Sequence, residues 1–204
     1  MDYKIDEIFP EKFFCTLQKA SLDTDKNIFM VDNEFIVLKL DDFNRKKYQK
    51  ELGCSMCLRG GDACFEKNGK IYILEFKNTY LHGKVIYEIL EKMYDSCIVL
   101  MDKLKIDISY FKNNVNFVTI YSFKEDCDEE KKYSEIDKIQ NIGMNKIKSS
   151  ISRRNSKPIK NIDDYAFGLK KLEKYIYNEV SAIPINYFQQ FLKEARPFYL
   201  RFLL

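Results

Sequence analysis

The sequence predicts an α/β fold, a mixed sheet flanked by helices, with a helical carboxy-terminal appendage. Three observations carry that expectation. Two apolar, β-branched runs flank Asn68-Gly69, the strongest short hairpin signature. An amphipathic helical pattern then leads into a short continuous apolar run, the order expected of a crossover between strands. The last third of the chain repeats apolar residues at intervals of three and four. With 204 residues, 46% of them hydrophobic and including 16 Phe and 14 Tyr, the chain has material for one packed core with a modest elaboration. Only 7 Gly and 4 Pro interrupt it, which excludes collagenous and linker-like architectures.

The elements follow in order. Pro10, Phe13, Phe14, Leu17 and Ala20 predict a short amphipathic helix with proline in its first turn. Residues 35–40, Phe-Ile-Val-Leu-Lys-Leu, predict a strand, and the polar, Lys-rich stretch 41–52 a loop with a helical turn. The hairpin pairs Asp62-Ala-Cys-Phe65 with Ile71-Tyr-Ile-Leu-Glu-Phe-Lys77. Val85, Ile86, Ile89, Leu90 and Met93 mark one face of a helix, and Cys97 to Met101 then predicts a buried strand. Asn116 to Tyr121 is a further strand, followed by an acidic surface loop at 125–130. Ile136, Ile139 and Ile147 mark one later helix; Leu169, Leu172, Ile176 and Val180 mark another; Pro184 opens a third, ending before Pro197. The expected division is a core over 1–124 and a helical extension over 125–204 packed on it.

Charge and cysteine content narrow the class. Thirty-four basic against 31 acidic residues leave a net charge of +3, too small to imply nucleic acid by itself. No apolar run approaches the roughly 18 residues of a membrane span. The start, Met-Asp-Tyr-Lys-Ile-Asp-Glu, is polar where a secretory signal would be apolar, so a cytoplasmic protein is expected. The six cysteines are then expected to be reduced. Cys54 and Cys57 form a CxxC pair, but Cys64 and His82 do not complete a zinc set at suitable spacing.

The hairpin register locates a candidate site. With Asn68-Gly69 as a two-residue turn, Lys67 faces Lys70 and Asp62 falls opposite Glu75. Directly opposed carboxylates repel unless a cation lies between them, and Lys77, two residues beyond Glu75, shares its face. Two acids and a lysine inside an apolar strand pair are costly unless paired or bound to metal. Hard oxygen ligands of this kind suit Mg²⁺, whose shell is completed by water and phosphate. The competing interpretation is a salt bridge arising by chance in a chain that is 32% charged.

Gly61-Asp62 followed by Glu75-Phe-Lys77, with an amphipathic helix and strand after it, resembles the PD-(D/E)XK, or restriction-endonuclease-like, nuclease superfamily over about residues 35–122. The resemblance implies a mixed sheet flanked by helices. It implies Asp62 and Glu75 as ligands of Mg²⁺ or Mn²⁺, with Lys77 assisting attack of water on a phosphodiester. Gly61 stands where the motif's name has proline. An upstream acid is often added in the superfamily, and Glu11 and Glu51 are the candidates, each equally readable as a solvated surface acid. Lys84 is placed to meet a phosphate; alternatively it begins an i,i+4 ladder with Glu88 and Lys92 on a solvated face. Between Lys146 and Lys160 lie six basic residues and no acid, with interleaved serines. Lys148, Arg153, Arg154 and Lys157 there are either phosphate contacts or part of a solvated linker.

The expected function is therefore a divalent-metal-dependent nuclease acting on nucleic acid, DNA before RNA, of the kind found in phage defence or mobile elements. A homodimer or a partner protein is compatible with it. The alternative is a non-catalytic module of the same fold that binds protein or nucleic acid.

Overall fold

A computed structural model describes residues 5–79, 81, 83–122, 163–185 and 187–188. Their strands are β1 (Phe14–Thr16), β2 (Leu22–Asp23), β3 (Ile28–Phe29), β4 (Ile36–Leu38), β5 (Ala63–Lys67), β6 (Lys70–Lys77), β7 (Val115–Tyr121) and β8 (Glu179–Pro184). Six of them form one mixed sheet in the order β1-β4-β5-β6-β7-β8, while β2 and β3 make a separate two-stranded ribbon. The helices are α1 (Ile5–Ile8), α2 (Leu17–Ala20), α3 (Leu40–Phe43), α4 (Gln49–Leu52), α5 (Gly83–Leu104) and α6 (Ile108–Asn114).

The hairpin forms in the expected register, Lys67 against Lys70 through Ala63 against Leu74. Its turn has φ of 51° at Asn68 and 70° at Gly69, the two positive angles that tight hairpins demand and that Asn-Gly supplies at least cost. β6 then crosses through α5 to β7, which lies parallel to it, Glu75 beside Thr119. Alternation divides the sheet between two cores. Ile71, Ile73, Val115 and Phe117 pack under α5 with Ile89, Met93 and Leu100. Leu74, Phe76, Val118 and Ile120 pack on the other face with Leu17, Val31, Val37 and Phe188. Glu75 and Thr119 therefore belong, by parity, to the face that α5 covers.

Several elements differ from expectation. The 10–20 segment is a short 3₁₀ turn (Glu11–Phe13), then β1, then α2, because Phe14–Thr16 pairs with Ile36–Leu38 and that long-range ladder overrides the local period. Thr16 caps α2 by accepting the Lys19 N–H. The stretch from Leu40 to Leu52 is helical throughout, with a π-type turn at Asn44–Tyr48 between α3 and α4; Arg45 and Lys46 pair with Asp41 and Asp42 on its outer side. Cys97 to Met101 is the continuation of α5, in which Met93, Cys97, Leu100 and Leu104 keep one buried stripe. A five-residue apolar run fits a buried strand or a buried helix equally well, and here the helical stripe runs through it.

The largest departure is in the helical appendage. Asp163–Leu172 is helical, as 3₁₀, and the chain then turns at Lys174 (φ 63°) and enters β8, parallel to β7, in place of the continuous helix expected through Val180. Leu169, Leu172, Tyr177 and Val180 join the core under α5, so their spacing reflects burial of two different elements against one surface. Pro184 closes β8, and the helix expected from Pro184 begins directly after it, Ile185, Tyr187 and Phe188 being helical; Phe188 meets Phe76. The sheet thus draws its last strand from the segment expected to be a helical extension packed on the core. The acidic run at 125–130, the helix at 136–147, His82, Cys127 and Pro197 lie outside the described residues. The five described cysteines are free thiols, as expected. Among the described residues no helix is long and apolar enough to cross a membrane.

Candidate active site

Asp62 immediately precedes β5, and Glu75 lies near the carboxyl end of β6, one step beyond the Ala63–Leu74 pair. The close approach of the two strands there depends on Gly61. A Cβ at that position would come within 2.5 Å of Ile73 Cγ2 and 3.1 Å of the Leu74 carbonyl oxygen. This position has no room for a side chain, the ring of a proline included. Gly61 also donates its N–H to Ser96 Oγ on α5, at 3.0 Å, tying the residue before Asp62 to the covering helix.

One cation joins the carboxylates. Lys92 of α5 donates to Asp62 Oδ1 at 2.9 Å and to Glu75 Oε2 at 2.8 Å. Lys77, expected in that place, instead lies 3.3 Å from Glu75 Oε1 and 3.5 Å from Glu88 Oε2, at the edge of the pair rather than within it. Asp62 is fixed further by the Phe76 N–H, which donates to Oδ2 at 2.8 Å. Glu75 has no exposed surface, and its Oε1 accepts no hydrogen bond among the described residues; the Lys77 contact is an ion pair without hydrogen-bond alignment. Thr119 Oγ1, at the paired position on β7, is likewise buried without a partner among the described residues.

Electrostatics follow from burial. Loss of water, reinforced by the Asp62 charge and opposed by Lys92 and Lys77, pushes the Glu75 carboxyl up to about 7. Burial works against the Lys92 charge, but the Glu75 and Asp62 carboxylates outweigh it and hold the ammonium above the ordinary lysine range. The group opens into a cleft of about 340 Å³ whose wall includes Asp62, Glu75, Lys77 and Lys92 on one side and Asp23 and Lys26 of the ribbon segment on the other. Asn78 fastens the ribbon: its side-chain amide donates to Asp23 and its carbonyl accepts from Lys26 Nζ.

Of the other expected residues, Lys84 is exposed in the first turn of α5. Lys92 leaves the proposed surface ladder altogether, being 6% exposed, and Glu88 turns to Lys77. Glu51 pairs with Lys103 and Lys47 away from the cleft, and Glu11 is exposed in the 3₁₀ turn, so neither supplies an upstream acid. Cys54 is exposed and Cys64 buried within β5, and no group of three or more His, Cys, Asp or Glu among the described residues could hold a metal. Lys148, Arg153, Arg154 and Lys157 lie outside the described residues. Lys92 and Thr119 are the site residues that sequence reasoning missed. A signal for Lys92 existed: with Ser96 it forms an i,i+4 polar pair inside the Ile89, Met93, Cys97, Leu100 stripe.

The donor set fits a hard divalent cation in kind. Two carboxylates converge on one point, and one buried carboxylate oxygen, ion-paired with Lys77, accepts no hydrogen bond among the described residues. No family model matches the chain, and comparisons with curated proteins and with solved structures find no match.

Proposed function

We propose that this protein is a divalent-metal-dependent nuclease of the restriction-endonuclease-like type, acting on phosphodiester bonds of DNA in preference to RNA. The observation that carries the reading is the convergence of Asp62 and Glu75 on a single cation, with Glu75 Oε1 buried beside it and accepting no hydrogen bond among the described residues. The mixed sheet flanked by helices is of the kind that the PD-(D/E)XK resemblance implies, and its hairpin and crossover helix bring the acids and lysines together. Asp62 and Glu75 would hold Mg²⁺ or Mn²⁺, which supplies Lewis-acid polarisation of a phosphate and acidification of a bound water. Lys77 has its ammonium on the same face at the cleft, where it can donate to a phosphodiester oxygen and to a water, and it stabilises charge that grows as the bond to phosphorus breaks. Phe76 N–H fixes the Asp62 carboxylate so that little reorganisation is needed.

The discriminating experiment incubates the full chain with plasmid, linear duplex, single-stranded DNA and RNA, each with Mg²⁺, Mn²⁺ or EDTA. Cleavage that requires metal and disappears in Lys77→Ala supports the reading. The internal ion pair of Lys92 favours one rival, a non-catalytic binding module in which the cluster is already neutralised. Nucleic acid bound but never cut under any metal would favour that rival. If 146–160 contacts phosphates, replacing Lys148, Arg153, Arg154 and Lys157 by Ala should weaken binding and flatten its salt dependence.

A further inference from the structure

We propose that the Lys92 ammonium is the resident counter-ion of the Asp62–Glu75 pair and yields its place when a divalent cation binds, so that metal loading is an exchange of cations. This inference rests on the nuclease reading and adds a step to it. Lys92 Nζ uses two of its three protons on Asp62 Oδ1 and Glu75 Oε2, at 2.9 and 2.8 Å. Those are oxygens that a shared Mg²⁺ would need, at about 2.1 Å each. An ammonium and a dication cannot both sit between them, since they claim the same lone pairs and repel one another.

The surroundings permit the exchange. Lys92 rises from the buried face of α5 on a flexible four-carbon stem, and its side chain lines the same cleft as Lys77, Asn78, Asp23 and Asp25. The ammonium therefore has a polar route out that ends near the acids of the ribbon segment. It moves as an ammonium and keeps its three protons. With all four groups ionised, Asp62, Glu75, Lys77 and Lys92 sum to zero, and exchange leaves the same side chains with a dication added. In that ionised state the site is neutral without metal and positive with it, so it attracts a phosphodiester mainly when loaded, which couples metal binding to substrate binding in both directions.

The test follows the Lys92 ammonium directly. In the metal-free protein, a buried ammonium held by two carboxylates should give a slowly exchanging ¹⁵N–¹H signal, assigned through its own side-chain carbons. Titration of the full chain with Mg²⁺ should abolish or shift that signal in step with binding measured by calorimetry. A signal unchanged at saturating Mg²⁺ overturns the exchange while leaving the nuclease reading intact. Independently, Lys92→Met should bind Mn²⁺ more tightly than wild type, by about tenfold or more, and Lys77→Met should gain less. Equal or weaker binding by a folded Lys92→Met overturns the proposal; the wild-type titration decides the matter if that variant does not fold. Absence of Mg²⁺ and Mn²⁺ binding by wild type and variants alike overturns both the exchange and the metal-dependent reading.

Discussion

Glu75 and its neighbours carry opposite demands. A carboxyl raised to about 7 in the folded protein, against 4.5 as its ordinary value, binds a proton more tightly folded than unfolded. Between those two pH values the folded state holds more protons, so this residue's contribution to stability falls as pH rises through the window and is flat above it. The loss is of the order of a few kcal/mol. Denaturant unfolding of the metal-free protein between pH 4.5 and 7 should show it as the difference between wild type and Glu75→Gln, whose own profile lacks that slope. Parallel profiles would mean that the carboxylate is fully compensated by Lys92. Gly61 supplies a second test, since a Cβ 2.5 Å from Ile73 Cγ2 forces the strands apart. Gly61→Ala should lose about 1–3 kcal/mol by overpacking. It should also weaken Mn²⁺ binding, because Asp62 is the next residue. Asp62 and Glu75 were legible in the sequence because an Asn-Gly turn fixes register. Lys92 was not, because flanking Glu88 and Glu91 give it the look of a solvated position and only its pairing with Ser96 in a buried stripe says otherwise.

For strands and helices, legibility followed how local the determining contacts are. The β5–β6 hairpin is specified within its own fifteen residues, Ala63 to Lys77, and formed as read. β1 and β8 are specified by partners far along the chain, Ile36–Leu38 for one and Asn116–Tyr121 for the other, and no local period could announce them. α5 lies between these cases: its first three turns were readable, and its last turns were mistaken for a strand because five successive apolar residues satisfy both geometries. Register itself can be tested. One glycine inserted between Asn68 and Gly69 lengthens the turn and, where β5 slips by one residue against β6, sends Asp62 toward the opposite face. Far-ultraviolet circular dichroism should change little, while Mn²⁺ binding should fall sharply. Binding that survived in a slipped hairpin would separate the cation site from the Asp62–Glu75 pairing.

Across the whole molecule, the site depends on a segment that sequence reading placed outside the core. Tyr177, between the 3₁₀ helix and β8, is fully buried; its ring lies 5.5 Å from Phe111 and 5.6 Å from Phe117, and its hydroxyl donates to the Met93 carbonyl at 2.6 Å. Met93 follows Lys92 on α5, so the segment that leads into β8 braces the helix turn that carries the bridging ammonium. Two variants separate packing from bracing. Tyr177→Phe keeps the ring and removes one hydrogen bond to a carbonyl that keeps its helical donor, a loss of about 0.5–1.5 kcal/mol. Tyr177→Ala also removes the ring from the core and should lose about 3–5 kcal/mol. A chain ending at Ser122 goes further, since β7, buried along its whole length between β6 and β8, becomes an apolar sheet edge. That fragment should unfold or aggregate at temperatures where the full chain is stable, as read by light scattering and thermal melting. Supplying residues 163–204 as a separate peptide should restore solubility only if β8 can re-pair in parallel with β7. A fragment that melted cooperatively near the full chain's temperature would show that the sheet is complete without its last strand, and would remove Tyr177 from any part in holding Lys92.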